Sequence, residues 1–268
     1  MPLNVSGVLA ALQTLFKPRL ILPSLTVNDI RQLDFHALKT AGFRGAVFDK
    51  DNCLTLPQRD HLVPELKDAW SECLSTFGPS NILVVSNSAG SRSDAGDIKA
   101  ESVSISLGVP VLRHDALKPS HACIRDIMNY FFSSPSFTGQ SPGKVDEEHG
   151  RKRPTADTNW DILKPLIVVG DRLFTDVILA NRMRRLLNTN DPKGQISNDP
   201  DANSTSSTND AGRTPDGPFA VYTTGVWKRE SILMRFTEKA LLRAVERWVI
   251  GEEEIKRRSE YSARFLRK

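Results

Sequence analysis

The sequence predicts an open α/β fold built on a mostly parallel sheet, and three observations lead there. Short continuous apolar runs recur along the chain, of the kind that suits strands buried on both faces. Stretches able to hold crossover helices separate them, in the alternating order that parallel sheets require. The runs end on polar or acidic residues, at the strand ends where such sheets place their ligands.

Taken in order, Ala46-Val47-Phe48 leads into Asp49, and Ile82-Leu83-Val84-Val85 leads into Ser86. Val109-Pro110-Val111-Leu112 leads to Arg113 and His114. Leu166-Ile167-Val168-Val169 runs into Gly170-Asp171, and Phe219-Ala220-Val221-Tyr222 into Thr223-Thr224-Gly225. Helices are expected at 64–77, 94–107, 120–132 and 174–187. Residues 133–159 are rich in Ser, Pro, Gly and charge, and residues 188–217 hold one large aliphatic residue, Ile196. Neither buries enough apolar surface to offset the entropy of ordering, so both read as flexible surface insertions.

Beyond the last strand, Trp227 to Ile250 carries apolar residues at 232, 233, 236, 240, 241, 244, 245, 248 and 249. That spacing predicts a long amphipathic helix packed on the core. Lys228, Arg229, Arg235, Lys239, Arg243 and Arg247, with Glu230, Glu238 and Glu246, are expected on its solvated face. From 251 on, six basic and four acidic residues suggest a further exposed helix or a charged tail. The expected organisation is thus an N-terminal segment (1–28), an α/β domain with two insertions (29–250) and a charged tail (251–268).

The N-terminal segment contains no acidic residue before Asp29. Val5, Val8, Leu9, Leu12, Leu15 and Phe16 recur at helical spacing, and Pro18 then stops the helix. Three readings stay open: a first helix packed on the core, an amphipathic helix lying in a membrane interface, or an organelle-targeting segment. A secretory signal is not expected, since a basic n-region and a long apolar region are both lacking. No stretch approaches the ~20 apolar residues of a membrane-spanning helix.

Composition narrows the class without deciding it. With 268 residues, 39% hydrophobic and 25% charged, the chain can bury a sizeable core. Cys53, Cys73 and Cys123 are too few and too scattered for a disulfide framework or a CxxC metal site, and an odd count suits a reducing compartment. A net charge of +4 favours anionic partners weakly. The basic residues are spread out with no aromatic-basic motif, so no nucleic-acid partner is expected.

The chemistry concentrates in Asp49-Lys50-Asp51-Asn52-Cys53-Leu54-Thr55. Two carboxylates two residues apart, just past a buried strand, can face one pocket. One can attack phosphorus while the other gives a proton to the leaving oxygen. Alone, a DxD is equally a loop acidic pair or a metal-nucleotide site. Three further elements arrive in order. Ser86, beside Asn87, offers a hydroxyl and neighbouring N–H groups for phosphoryl oxygens. Lys118 supplies a positive charge, and Asp171 with Asp176 supplies carboxylates for a hard cation such as Mg²⁺. Cys53 lacks a partner base and reads as packing. His114 is expected to make a structural hydrogen bond rather than contact substrate. Trp160, Trp227 and Trp248 are expected to pack in the core, membrane anchoring being the alternative.

In this order, DxDxxT, apolar-run-Ser, Lys and GDxxxTD, the sequence resembles the haloacid dehalogenase (HAD) superfamily of phosphatases. The resemblance implies a HAD-type Rossmann-like fold, with Asp49 as nucleophile forming an aspartyl-phosphate and Asp51 as general acid, then base. It implies that Ser86 and Lys118 grip the phosphoryl group. Mg²⁺ would lie on Asp49, Asp171 and the Asp51 carbonyl, with Asp176 supporting its water shell. More narrowly, the Asp49–Thr55 stretch, Ser86-Asn87-Ser88 and Gly170-Asp171-Arg172-Leu173-Phe174-Thr175-Asp176-Val177 resemble the mitochondrial phosphatidylglycerophosphate phosphatases of fungi and plants. Their reaction, a step towards cardiolipin, implies an anionic phospholipid substrate and peripheral association with the matrix face of the inner membrane. Arg172 stands where the related bacterial proteins would have Gln.

The residues themselves support a lipid substrate in part. Only 36 residues lie between Asp49 and Ser86, and 31 between Ser86 and Lys118. Neither gap holds a large cap domain, so the pocket is expected to stay open to bulky substrates. Lys50, Arg92 and Arg172 lie in or near the strand-end loops. They are candidates to meet the second phosphate of the head group, or equally to form surface salt bridges, and Asn87 is a further substrate-binding candidate. A homo-oligomer is compatible and would add membrane avidity. The alternative is a HAD phosphatase acting on a soluble phosphomonoester, which shares every catalytic residue. A receiver domain is disfavoured by Asp51, which would shorten the life of a phosphoryl mark.

Overall fold

A computed structural model describes residues 5–138, 163–189, 217–225, 227–228 and 232–267. Trp160 and most of the insertions expected at 133–159 and 188–217 lie outside the described residues. Five strands form one all-parallel sheet: β1 (Leu25–Val27), β2 (Gly45–Phe48), β3 (Ile82–Val84), β4 (Leu166–Gly170) and β5 (Phe219–Thr223). Their order across the sheet is β1-β5-β4-β2-β3. The order places β2 between β4 and β3, with Phe48 opposite Val169 on one side and Val84 on the other.

Alternation along each strand explains the continuous apolar runs. Val47, Leu83, Val168 and Ala220 face one core, while Phe48, Val84, Ile167 and Val221 face the other. Because both faces are covered, no residue of β2 to β5 is left for water, and the long runs read as unbroken hydrophobe. The first core is closed by α5 (His121–Ser133), the short α6 (Pro135–Thr138), α7 (Ile178–Thr189) and α8 (Ile232–Val249). The second is closed by α2 (Phe35–Thr40), α3 (Lys67–Phe77) and α4 (Ile98–Leu107).

Local chemistry fixes the helix starts. Asp34 Oδ1 accepts the Ala37 N–H at 2.8 Å to cap α2, and Ser120 Oγ accepts the Cys123 N–H at 3.2 Å to cap α5. Asp94, itself buried, accepts the N–H groups of Gly90, Lys99 and Ala100 and so ties the loop after β3 to the start of α4.

Three features differ from expectation. Strand β1 is not anticipated: three residues with one exposed position carry too little periodic signal, and pairing with β5 decides their conformation. Conversely, 109–112 contributes one bridge, Val84 to Val111, because Pro110 has no N–H to extend the ladder. The charged end is a helix, α9 (Glu252–Ala263), followed by a buried Phe265 that stacks edge-on to Phe43 and Phe219.

The ends of the chain frame one side of the sheet. The N-terminal helix α1 (Val5–Phe16) and the turn Pro18–Ile21 pack on the segment following β4. Asn181 of α7 donates to the carbonyls of Leu20 and Leu22 at 2.8 and 3.0 Å, which pins that turn. Ala10 and Thr14 face inward, whereas Leu9, Leu12 and Phe16 are 60%, 52% and 86% exposed. Helix α8 also turns differently from its apolar periodicity. Arg235 and Glu238 are buried, and Phe236 and Trp248 are exposed. The solvated-face reading of those two charges is therefore corrected: the charged pair faces the strand ends, where it finds counter-charge. Trp248 leaves the core as well, while Trp227 packs against it, with Arg31 over its ring at 5.7 Å. No helix among the described residues is long and apolar enough to cross a membrane.

Candidate active site

Three neighbouring strands deliver the site. Asp49 follows β2, Asp171 follows β4, and Ser86 lies two residues beyond β3. The Asp49 N–H donates to Val169 O at 2.9 Å and the Val85 N–H to Phe48 O at 2.8 Å, extending the ladder up to the reactive residues. Sheet rigidity is thereby passed to the side chains, as positioning for catalysis requires.

Past Asp49 the chain turns sharply. Asn52 adopts φ +60°, its N–H donates to Thr55 O, and the Leu54 and Thr55 N–H groups both return to Lys50 O. Asn is among the few residues that enter this left-handed region readily. The Lys50 side chain is buried beneath the turn. Its ammonium donates to Arg59 O at 3.0 Å and lies 2.9 Å from Asp51 Oδ1 and 3.6 Å from Asp60. Asp51 is held three ways, by Lys50, by the Gln58 N–H on Oδ1 and by the Ser88 hydroxyl on Oδ2.

Ser88 connects the two halves of the site. Its hydroxyl lies 3.0 Å from Ser86 Oγ, and its N–H donates to the same oxygen at 3.1 Å. His114 Nε2 lies 3.0 Å from Ser86 O, and Nδ1 lies 2.9 Å from Ala116 O, so the ring braces two loops. Asn87 Oδ1 accepts the Lys118 N–H at 2.8 Å, which sets the lysine's backbone. Arg92 is exposed and pairs with Asp115 at 3.5 Å.

The Lys118 ammonium bridges Asp49 Oδ1 at 2.6 Å and Asp176 Oδ1 at 2.7 Å. Asp176 sits on a π-helical turn, Leu173–Val177, and its Oδ2 accepts the Arg172 N–H at 3.1 Å. It can approach β4 only because residue 170 is glycine. A Cβ there would lie 2.3 Å from Asp176 Cγ. The Asp171 carboxylate receives the Arg235 guanidinium from α8, with Arg172 Nε 3.9 Å away.

Asp49, Asp171 and Asp176 each offer an oxygen, all within 4.8 Å of one another. Asp171 and Asp176 are buried and Asp49 partly so, and three cations face them: Lys118, Arg235 and, farther off, Arg172. Burial, with Asp176 and Asp171 adding to it, pushes Asp49 up to about 8 although Lys118 opposes the shift. Burial and Asp176 push Asp171 up to about 6 against Arg235 and Arg172. Burial opposes the Lys118 charge, yet Asp176 and Asp49 outweigh it and hold the amine above its ordinary range. Such an all-oxygen donor set is compatible with a metal site for a hard divalent cation. Cys53 is buried beside it, and burial raises its thiol well above the usual value, so it packs and does not react.

Sequence reasoning reached Asp49, Asp51, Ser86, Lys118, Asp171 and Asp176, which the fold brings to one end of the sheet. It missed Ser88 and Arg235. Ser88 was visible as a second hydroxyl at i+2 from Ser86. Arg235 carried no signal, being one of many charges on a long helix.

A family model described as mitochondrial PGP phosphatase matches residues 5–142. The mitochondrial phosphatidylglycerophosphatase of Saccharomyces cerevisiae is 33% identical over 181 residues, covering 68% of this chain and 83% of that protein. The chloroplastic/mitochondrial phosphatidylglycerophosphate phosphatase 1 of Arabidopsis thaliana is 33% identical over 182 residues, covering 67% of this chain and 44% of the plant protein. The chloroplastic phosphatidylglycerophosphate phosphatase 1 of Chlamydomonas reinhardtii is 37% identical over 164 residues, covering 61% of this chain and 50% of the algal protein. The chain thus spans half or less of the plant and algal relatives. No solved structure matches it.

Proposed function

The chain belongs to the mitochondrial PGP phosphatase family, and we propose that it hydrolyses the terminal phosphomonoester of phosphatidylglycerophosphate to phosphatidylglycerol and inorganic phosphate. The observation that carries the reading is the Asp49 carboxylate, at a rigid strand end, held by Lys118 inside a three-carboxylate cluster. Asp49 attacks phosphorus, the bond from phosphorus to the glycerol oxygen breaks, and Asp51 gives that oxygen its proton. Water then attacks the aspartyl-phosphate and gives a proton to Asp51, the bond from phosphorus to the Asp49 oxygen breaks, and phosphate leaves.

Lys118 neutralises phosphoryl oxygens and nucleophile together. Asn87 acts on it through its backbone. The Ser86 hydroxyl, in line with Ser88 and Asp51, orients the phosphoryl group. Asp49, Asp171 and Asp176 would hold or support Mg²⁺, which supplies the remaining positive charge on an anionic nucleophile and substrate.

The mitochondrial relatives fit a mitochondrial location, and we propose that the enzyme works at the matrix face of the inner membrane. Support comes from α1, which turns Leu9, Leu12 and Phe16 outward while packing against the turn that carries Asp176. Such an apolar face, laid in a bilayer interface, would bring the site to a lipid head group.

The test is phosphate release from phosphatidylglycerophosphate in mixed micelles with Mg²⁺, with Asp49→Asn as blank and soluble phosphomonoesters alongside. Strong preference for the lipid is expected. Turnover of soluble esters alone would discard the lipid substrate and keep the mechanism.

A further inference from the structure

Helix α8 aims charge inward. Arg235 is 8% exposed and Glu238 1%, and they lie three residues apart on the face that continues through Leu242 and Val245 into the core. Arg235 Nη2 donates to Asp171 Oδ2. Its other two nitrogens, Nε and Nη1, are buried and meet no acceptor among the described residues. Close by, Glu238 Oε2 and Tyr222 Oη are buried and meet no partner among the described residues. Buried polar groups are almost always satisfied, and a group of exceptions beside a reactive carboxylate needs a cause.

The geometry of a guanidinium supplies one. Its two donor edges are Nε with Nη2 and Nη1 with Nη2, and each can grip two oxygens of one anion. Both edges share Nη2, the nitrogen now engaged by Asp171. Nη2 carries one hydrogen on each edge, so the contact with Asp171 takes a donor from one of them and ties the group to that carboxylate. A divalent cation drawing on Asp171 competes with the guanidinium for that carboxylate and frees Nη2.

We propose that Arg235 determines specificity by receiving the second anionic group of the substrate, the phosphodiester one glycerol bridge from the reacting phosphorus, once a divalent cation has taken Asp171 from it. This rests on the phosphatidylglycerophosphate reading. The distances allow it, because Asp171 and Asp49 oxygens lie within 4.8 Å of each other, so a group touching Asp171 stands one short bridge from the nucleophile. The neighbouring Glu238 oxygen and the Tyr222 hydroxyl suit the free hydroxyl of that bridge. Lys50, by contrast, spends its ammonium on Asp51, Asp60 and Arg59 O.

The experiment combines two readouts on the full chain. Steady-state kinetics with saturating Mg²⁺ compare phosphatidylglycerophosphate in mixed micelles with p-nitrophenyl phosphate, which has no second phosphate. In Arg235→Gln, KM for the lipid should rise roughly tenfold or more, and the lipid-to-simple-ester ratio of kcat/KM should fall by a similar factor. Equal loss on both substrates would overturn the proposal. Calorimetric titration with Mg²⁺ alone, without substrate, should show Arg235→Gln binding the ion several-fold more tightly, since a competing cation is gone. Unchanged or weaker binding would also overturn it. If Arg235→Gln does not fold, Arg235→Lys keeps the charge and loses the two-donor edge, and should still depress the lipid ratio. Failure of the substrate reading itself would appear in the unsubstituted enzyme, as turnover of the simple ester without turnover of the lipid.

Discussion

The Lys118 ammonium lies 2.6 Å from Asp49 Oδ1, although the two residues are 69 positions apart in the chain. Asn87 makes the meeting possible by holding the Lys118 N–H, and the lysine's second carboxylate, Asp176, fixes the far side of its ammonium. Lys118 therefore belongs to the nucleophile as much as to the substrate. It opposes the burial that pushes Asp49 towards its protonated, unreactive form.

Replacing Lys118 by Met should cost about 10²–10³-fold in kcat, the scale of losing one preorganised charge-stabilising group. Asn87→Ala should cost less, because the ammonium keeps both carboxylates while its backbone loosens. Single-turnover phosphate release against the Asp49→Asn blank measures both. A Lys118→Met enzyme near full rate would remove the lysine from the mechanism.

Gly170→Ala tests the seat of Asp176. The added methyl would meet Asp176 Cγ at 2.3 Å, so the carboxylate has to move away from Lys118. Overpacking of this kind costs about 1–3 kcal/mol. We expect a lower melting temperature and a rise of roughly tenfold in the Mg²⁺ concentration for half-maximal activity. A normal metal requirement would mean that Asp176 does not support the cation.

The exposed side of α1 should carry the membrane contact. Leu9→Glu with Leu12→Glu removes two apolar side chains that are more than half exposed, so folding stability should change little. Each side chain buried in an interface contributes about 1.5–3 kcal/mol, so binding to anionic vesicles should fall at least about tenfold. Sedimentation with vesicles reads the loss, and a short-chain soluble substrate reads the intact site. Equal loss of both would make α1 a structural helix only.

Much of this was legible in the chain because parallel-sheet strands are buried on both faces. Ala46–Phe48, Ile82–Val84 and Leu166–Val169 announce themselves as apolar runs, and each hands its chemistry to the next residues. Strand β1 and the inward turn of α8 were not legible, for a shared reason. Both are set by distant partners, β5 for the strand and the charge around Asp171 for Arg235, which outweigh local periodicity. Apolar spacing alone would have buried Phe236 and exposed Arg235; the structure does the reverse.

Glu238 gives a pH dependence with a definite sign. Burial, opposed by Arg172 and the Phe174 N–H, pushes its carboxyl up to about 7 from an ordinary 4.5. The folded protein therefore binds that proton more strongly than the unfolded chain. Its contribution to stability is complete below about pH 4.5 and is lost as pH rises through about 7. Asp49 and Asp171 act in the same direction when no divalent cation is bound. In EDTA, urea unfolding should show the protein less stable at pH 8 than at pH 5. Glu238→Gln keeps the shape and stays neutral, so it should recover on the order of 1–3 kcal/mol at pH 8 and little at pH 5. Adding Mg²⁺ should remove the part due to Asp49 and Asp171 and leave the part due to Glu238. Parallel stability curves for the two proteins across this range would show that Glu238 is ionised in the fold, held by Arg235 or Arg172 as an ordinary buried ion pair.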